Sequence, residues 1–292
     1  GIDTIEKLAM VKSTVVEAVA PDGYAILNAD DDLVYDLHDK LTCNIAYFSM
    51  NSENERVRHH VSKGGMAAIY ENDFITILKG KMIFRIGRAS QVPITFNGAA
   101  TFNIANVLAA SLAAFIQKIH PRDIMEALNT FIPGPETIPG RMNVFEFASH
   151  KVIVDYAHNP HGLQSIAGFL QSLQATRKVG VITGVGDRRC EDIKALASEA
   201  AKIFDEIIIR HDDDLRGRTV EELDRLLTDG IRAIDPERKI TIIDSEIQAV
   251  EEVLRTAVPG SVSVIFADDV SAVIAQVQKS CNKKPAAQLE VA

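Results

Sequence analysis

An α/β protein of two domains, the second a Rossmann-like parallel sheet, is what three features of this sequence predict. Its 292 residues exceed what a single hydrophobic core usually takes. From Lys151 onward, strand-like and helix-like segments alternate, which is the pattern of a mostly parallel sheet covered by helices. Just before that run lies Pro133-Gly134-Pro135-Glu136-Thr137-Ile138-Pro139-Gly140, a proline- and glycine-rich linker that places a boundary near residue 140. The expected division is 1–139, 140–280 and a tail at 281–292.

The first half begins with a helix. Ile5, Leu8, Ala9, Val11, Val15, Val16 and Val19 recur at helical spacing between Thr4 and Ala20, with Lys12 among them. Pro21-Asp22-Gly23 ends it as a turn, and Tyr24-Ala25-Ile26-Leu27 follows as a short buried strand. At that strand's end stands Asn28-Ala29-Asp30-Asp31-Asp32, where α/β sheets place polar sites, although strand ends are commonly polar without a function. Cys43 to Phe48 is a further strand. The short apolar runs Ala67–Tyr70, Phe74–Leu78, Met82–Ile86 and Val92–Ile94 predict antiparallel hairpins. A helix from Gly98 to Gln117 puts Asn103 and Asn106 on one face, and an amide pair can read an adenine edge. Pro121 to Phe131 is another helix.

In the second half the predicted strands are Lys151–Tyr156, Lys178–Thr183, Glu206–Arg210, Lys239–Ile243 and Ser261–Phe266. The helices between and after them run to Leu173 and over Glu191–Phe204, Val220–Ile234, Ile247–Thr256 and Val270–Lys279. Capping boxes at Thr219–Glu222 and Ser245–Gln248 mark two of the starts.

Composition excludes several classes. A net charge of -9 lacks the basic face that nucleic acid or an anionic membrane needs. Phe102 to Ile116 is too short, and too interrupted by Asn103 and Asn106, to span a bilayer. Cys43, Cys190 and Cys281 show no metal spacing and read as reduced thiols of a cytoplasmic protein.

The densest chemistry is Val154-Asp155-Tyr156-Ala157-His158-Asn159-Pro160, which closes an apolar strand and opens an amphipathic helix. Asn159 is a fitting N-cap with Pro160 at the first helical position. Unpaired N–H groups and the helix dipole favour phosphate there. Asp155 suits a ribose hydroxyl or a metal ion, and His158 a phosphate oxygen. Taken alone, the stretch reads better as a capped turn whose polar groups merely satisfy the backbone.

Its neighbours decide the matter. Pro139-Gly140-Arg141-Met142-Asn143 precedes it and Gly184-Val185-Gly186-Asp187-Arg188-Arg189 follows. In order and spacing these resemble the GRM, DYAHNP and GDR segments of the Mur ligase family, ATP-dependent enzymes that form amide bonds. The lysine-bearing helix before Asn28-Ala29-Asp30-Asp31 resembles that family's central domain. Phe102-Asn103-Ile104-Ala105-Asn106 resembles its HN-x-x-N helix, with Phe where many members have His.

The resemblance implies a truncated P-loop-type central domain lacking its P-loop, followed by a Rossmann-like lid domain, with ATP and magnesium as cofactors. It assigns catalysis to Lys12, His158 and Arg188, and the nucleotide to Asn103, Asn106, Arg141, Asp155 and Asn159. Lys12 is the position carbamylated beside magnesium in several members, a carbamate being a hard oxygen ligand. Contacts from both sides of the linker would make residues 133 to 140 a hinge.

The loop His211–Arg218 mixes Asp212, Asp213 and Asp214 with Arg216 and Arg218. A single such cluster is commonly a solvated turn. This one resembles the DDD-x-RGR loop of the subfamily that joins arginine to an aspartate polymer, and it assigns Asp187, Arg189 and those five residues to the substrates. The implied partners are arginine, an aspartate-containing polymer, and upstream ATP-grasp and P-loop portions, with no nucleic acid or membrane; a homo-oligomer stays open. The rivals are a peptidoglycan-precursor or folylpolyglutamate synthetase, which would differ at 211–218, and a non-catalytic binding module. The chain opens at Gly1 in a helical pattern and reads as part of something longer. Without a G-x-x-x-x-G-K-[ST] loop to cradle the phosphates, it is expected not to hydrolyse ATP by itself.

Overall fold

A computed structural model describes residues 4–281; the predicted tail beyond Cys281 lies outside them. The chain divides into two compact units, one ending at Ile132 and the other starting at Pro133. The division precedes Gly140 because the end of the linker is built into the second unit. There Asn143 is buried; its Oδ1 accepts from Gly140 N–H at 2.7 Å and its Nδ2 donates to the Ile138 carbonyl at 3.0 Å. Gly140 sits at φ +69°, and a Cβ on it would stand 2.7 Å from Val270, so only glycine fits.

The first unit comprises α1 (Ile5–Glu17), β1 (Tyr24–Asn28), α2 (Asp32–Tyr35), β2 (Asn44–Ser49), α3 (Glu55–Ser62), β3 (Met66–Glu71), β4 (Phe74–Lys79), β5 (Met82–Arg88), α4 (Thr101–Ile116) and α5 (Pro121–Thr130). Its sheet runs β1-β2-β3-β4-β5. The first three strands are parallel and the last two antiparallel. Ile104, Leu108 and Leu112 of α4 pack with Ile75, Ile77 and Ile86. Leu27, Tyr47, Ala67 and Ile69 form a second cluster with Val57 of α3. Met66–Glu71 therefore joins a parallel neighbour as well as the expected hairpin. Val92–Ile94 is not a strand: Pro93–Thr95 forms a 3-10 turn, since proline cannot donate to a strand ladder. Helix α1 has the predicted spacing, yet Ile5, Met10, Val11 and Val15 on it are exposed.

The second unit comprises β6 (Asn143–Glu146), β7 (Lys151–Asp155), α6 (Pro160–Ser172), β8 (Arg177–Ile182), α7 (Cys190–Ile203), β9 (Glu206–Arg210), α8 (Val220–Arg232), β10 (Lys239–Ile243), α9 (Glu246–Thr256), β11 (Ser261–Phe266) and α10 (Val270–Cys281). The strand order is β10-β9-β8-β11-β7-β6, parallel except for the unpredicted edge strand β6. Because parallel crossovers are right-handed, the steps β7 to β8 to β9 to β10 put α6, α7 and α8 on one face. The return to β11 puts α9 on the other, beside α10. Val154, Val181, Ile208 and Ile265 form one core with Val250 and Val253 of α9 and Val273 and Val277 of α10.

Inserting β11 between β7 and β8 makes a switch point, because the helices leaving β7 and β11 depart to opposite faces. Open parallel sheets take ligands in the crevice at such a point, beyond the C-terminal strand ends. Among the described residues no helix is long and apolar enough to cross a membrane.

Candidate functional site

At the C-terminal end of β7, Asp155 is buried and both its oxygens are engaged. Oδ2 accepts from Met142 N–H at 2.9 Å and Oδ1 from Ala157 N–H at 2.8 Å. Burial pushes its carboxyl above the usual range, against the opposing pull of those amides and of Arg141. The predicted ribose or metal ligand is thus a fastener that pins the 140–142 turn to the strand end. The turn leaves Arg141 exposed, with its guanidinium 5.3 Å from the Tyr156 ring centre.

His158 places Nδ1 against the Tyr156 carbonyl, while Nε2 is buried without a hydrogen bond, 3.9 Å from Asp268. Asn159 caps α6 as expected, accepting from Gly162 N–H at 2.8 Å behind Pro160.

Two further loops meet at the ends of β8 and β9. A Cβ on Gly186 would stand 2.0 Å from the Leu215 carbonyl oxygen, so glycine is what lets the two backbones cross. Arg216, in the left-handed region at φ 49°, reaches Asp187 at 3.3 Å. Arg218 is spent on structure: Nε donates to the Gly186 carbonyl at 2.9 Å and Nη2 to that of Arg188 at 2.8 Å, while Nη1 meets Glu222 and Cys190. Arg189 forks onto Asp192 with two bonds of 2.8 Å, and that hydrogen bonding holds the Asp192 carboxyl below its usual range.

Of the three aspartates, Asp212 binds Arg210 and accepts from the Thr183 hydroxyl at 3.3 Å. Asp214 accepts from Arg216 N–H at 2.9 Å. Asp213 is exposed. Exposed charged side chains at this edge include Arg141, Arg188 and Asp213, together with Arg216, which is paired with Asp187.

Sequence reasoning missed Arg210, Glu246 and Asp268. The first carried a signal, since an arginine closing the run Ile207-Ile208-Ile209 has to be buried with partners.

In the first unit, Asn103 is buried; its Nδ2 donates to the Ile94 carbonyl at 2.8 Å and its Oδ1 accepts from Asn106 at 3.2 Å. Asn103 thereby orients Asn106. Asn106 lines a cavity of about 410 Å³ between α4 and α5 with Val92, Ile94, Val107 and Phe131. Its walls are mostly apolar, with Ser111 and Asp123 as the other polar lining residues. The carboxylates after β1 are occupied: Asp30 accepts from Ser49, Met50 and Asn54, Asp31 caps α2, and Asp32 pairs with Arg56 at 2.7 Å. Lys12 is exposed. Among the described residues no three His, Cys, Asp or Glu side chains gather to hold a metal; magnesium is commonly held by one or two carboxylates together with waters and substrate phosphates.

Fold and site define a two-unit α/β protein with polar loops converging on the switch point of a parallel sheet. The chain belongs to the Mur ligase family: the Mur ligase middle domain matches residues 1–114 and the Mur ligase glutamate ligase domain residues 140–268. It is 46% identical over 273 residues to cyanophycin synthetase of Nostoc sp., covering 94% of this chain and 30% of that one. To the cyanophycin synthetase of Crocosphaera subtropica it is 42% identical, covering 95% and 32%. The chain thus spans about a third of these relatives. In fold it resembles E. coli FolC in complex with DHPP and ADP, at TM-score 0.65 and 16% identity over 96% of this chain and 57% of that one.

Proposed function

We propose that this chain is part of an ATP-dependent amide ligase of the cyanophycin synthetase type. The γ-phosphoryl group of ATP passes to an aspartate β-carboxylate of the polymer, releasing ADP and leaving an acyl phosphate. The α-amine of arginine attacks the acyl carbon, phosphate departs with the bonding pair, and the amine loses a proton as the amide forms. Negative charge builds on the phosphoryl oxygens and then on the tetrahedral carbon's oxygen. Fixed cationic donors are the groups that stabilise it.

The observation that carries this reading is the joining of the two loops most like that subfamily's, residues 186–189 and 212–218, at one sheet edge through Arg216 and Arg218. In the proposed division of labour Asn106 meets the base. Arg141, His158 and Arg188 meet phosphoryl oxygens, and Asp213 with Asp187 meets the incoming guanidinium by parallel hydrogen bonds. Asp155, Asn103, Asn159 and Arg218 hold those groups in place. The longer protein supplies the phosphate cradle and packs on the exposed apolar side of α1.

The test is ligation by the longer enzyme with ATP, an aspartate polymer and a panel of arginine, lysine, glutamate and diaminopimelate. ADP release with arginine incorporation supports the reading. Preference for glutamate or diaminopimelate would make it another Mur-type ligase, and binding without ADP release a non-catalytic module.

A further inference from the structure

The side chain of Arg210 is 1% exposed, yet it is charged and stands at the functional edge of the sheet. Its Nη1 meets Asp212; its Nη2 meets Glu246 at 3.0 Å and the Phe266 carbonyl at 3.3 Å. The second oxygen of Asp212 accepts from Thr183. Both oxygens of Glu246 accept backbone N–H groups, from Asp268 at 2.8 Å and Asp269 at 3.0 Å. One guanidinium therefore ties together the loops that follow β8, β9, β10 and β11.

Three ionised groups in a buried place cost desolvation energy that a well-packed apolar cluster would avoid. Their value lies in geometry. The surplus negative charge is met by the N–H groups of residues 268 and 269, at the start of α10 where the helix dipole favours it. Fixing Asp212 fixes the root of the loop that bears Asp213 and Arg216. Fixing Glu246 sets the backbone of Asp268, whose carboxylate faces the unbonded Nε2 of His158. A lysine in this place would bring one compact ammonium, without the planar fork whose two terminal nitrogens meet Asp212 on one and Glu246 with the Phe266 carbonyl on the other.

Resting on the assignment of this edge to the incoming amino acid, we propose that Arg210 is a positioning residue that locks the amino-acid loop and the Asp268 loop into one frame. It touches no reactant and acts through Asp212 and Glu246. A suitable reference lies at the opposite edge of the same sheet, where half-buried Arg238 donates to the carbonyls of Ala201 at 3.0 Å and Asp205 at 3.2 Å. Removing either arginine lowers thermal stability. Only Arg210 is expected to alter substrate handling.

In the longer enzyme, Arg210→Met should raise KM for the amino acid about tenfold or more while KM for ATP stays within about twofold. Arg210→Lys should fall between that variant and wild type. Arg238→Met should lose stability with both constants unchanged. If wild type prefers another amino acid, the substrate reading fails, and the same comparison made with that amino acid still judges Arg210.

A second measurement needs no activity. Hydrogen exchange on the present chain should show residues 212–218 and 268–269 exchanging about tenfold faster together in Arg210→Met. In Glu246→Gln only 268–269 should do so, and in Arg238→Met neither segment. Equal changes in both KM values, or unchanged exchange in the two loops of a folded Arg210→Lys or Arg210→Met protein, would overturn the proposal.

Discussion

The two ends of the second sheet are both rich in charge, and they use it differently. At the N-terminal end, Arg177 binds Glu206 at 2.6 Å and the Thr256 carbonyl at 2.8 Å. Lys239 joins the same Glu206 at 2.8 Å, and Arg238 closes onto carbonyls close by. These three cations are answered locally, and strand start is tied to strand start, although Arg177 and Arg238 each keep a buried Nε without a hydrogen bond. At the C-terminal end, Arg210 and Arg218 are answered across loops, with the Arg210 Nε likewise left without a hydrogen bond. Beyond these pairings, Arg141, Arg188 and Asp213 still face outward and His158 keeps a buried nitrogen unbonded. Charge density does not distinguish a site from a scaffold. What distinguishes them is which exposed charged groups remain after the scaffold has taken its share.

The sharpest way to break this comparison is to remove a remaining group. Arg188→Ala in the longer enzyme should lower the rate of amide formation on the order of a hundredfold, while stability stays within about 0.5 kcal/mol of wild type. Turnover assays with thermal melts check this; a large stability loss with normal turnover would put Arg188 in the scaffold.

A smaller effect is expected at Asp213. Asp213→Asn should raise KM for arginine about tenfold, spare KM for ATP, and narrow the preference for arginine over lysine. Steady-state kinetics with both amino acids decides it, and no change on either measure would make the loop a solvated turn.

At the other end, Glu206→Gln should cost about 1.5–3 kcal/mol of stability near neutral pH and leave both KM values alone. Burial opposes ionisation of Glu206, but Arg177 and Lys239 outweigh it and hold the carboxyl below its usual range. Its contribution is present above the ordinary carboxylate pKa and is lost as pH falls through the depressed value. Denaturation at several pH values should show the deficit of the variant shrinking toward acid.

The smallest effect, and of opposite slope, belongs to Asp155, whose pKa burial raises. Here the stabilising contribution is full below the ordinary carboxylate pKa and is lost as pH rises through the raised value. The stability of wild type relative to Asp155→Asn should therefore decline as pH rises above the ordinary carboxylate pKa of about 4. Parallel slopes for the two carboxylates would erase the distinction between the sheet ends.

The sequence by itself determined the alternating second half, because buried strands such as Lys151–Asp155 and Glu206–Arg210 need continuous apolar runs and the helices between them need one apolar stripe. It determined the cap at Asn159, which depends only on neighbours in the chain. It brought Asp155, His158 and the 186–189 turn under suspicion together, since the ends of successive parallel strands must meet at one edge. Only the tertiary structure decided who uses whom. The insertion of β11 between β7 and β8 set Asp268 beside His158, and no local pattern encodes a strand's place in a sheet. Asp155 was spent on Met142 and Ala157, Arg218 on Gly186 and Arg188, and Asp212 on Arg210. Hydrogen-bond partners far apart in sequence are chosen by packing, and pairing a buried polar group avoids the cost of leaving it unpaired. The free residue of that competition, not the motif, is the candidate site.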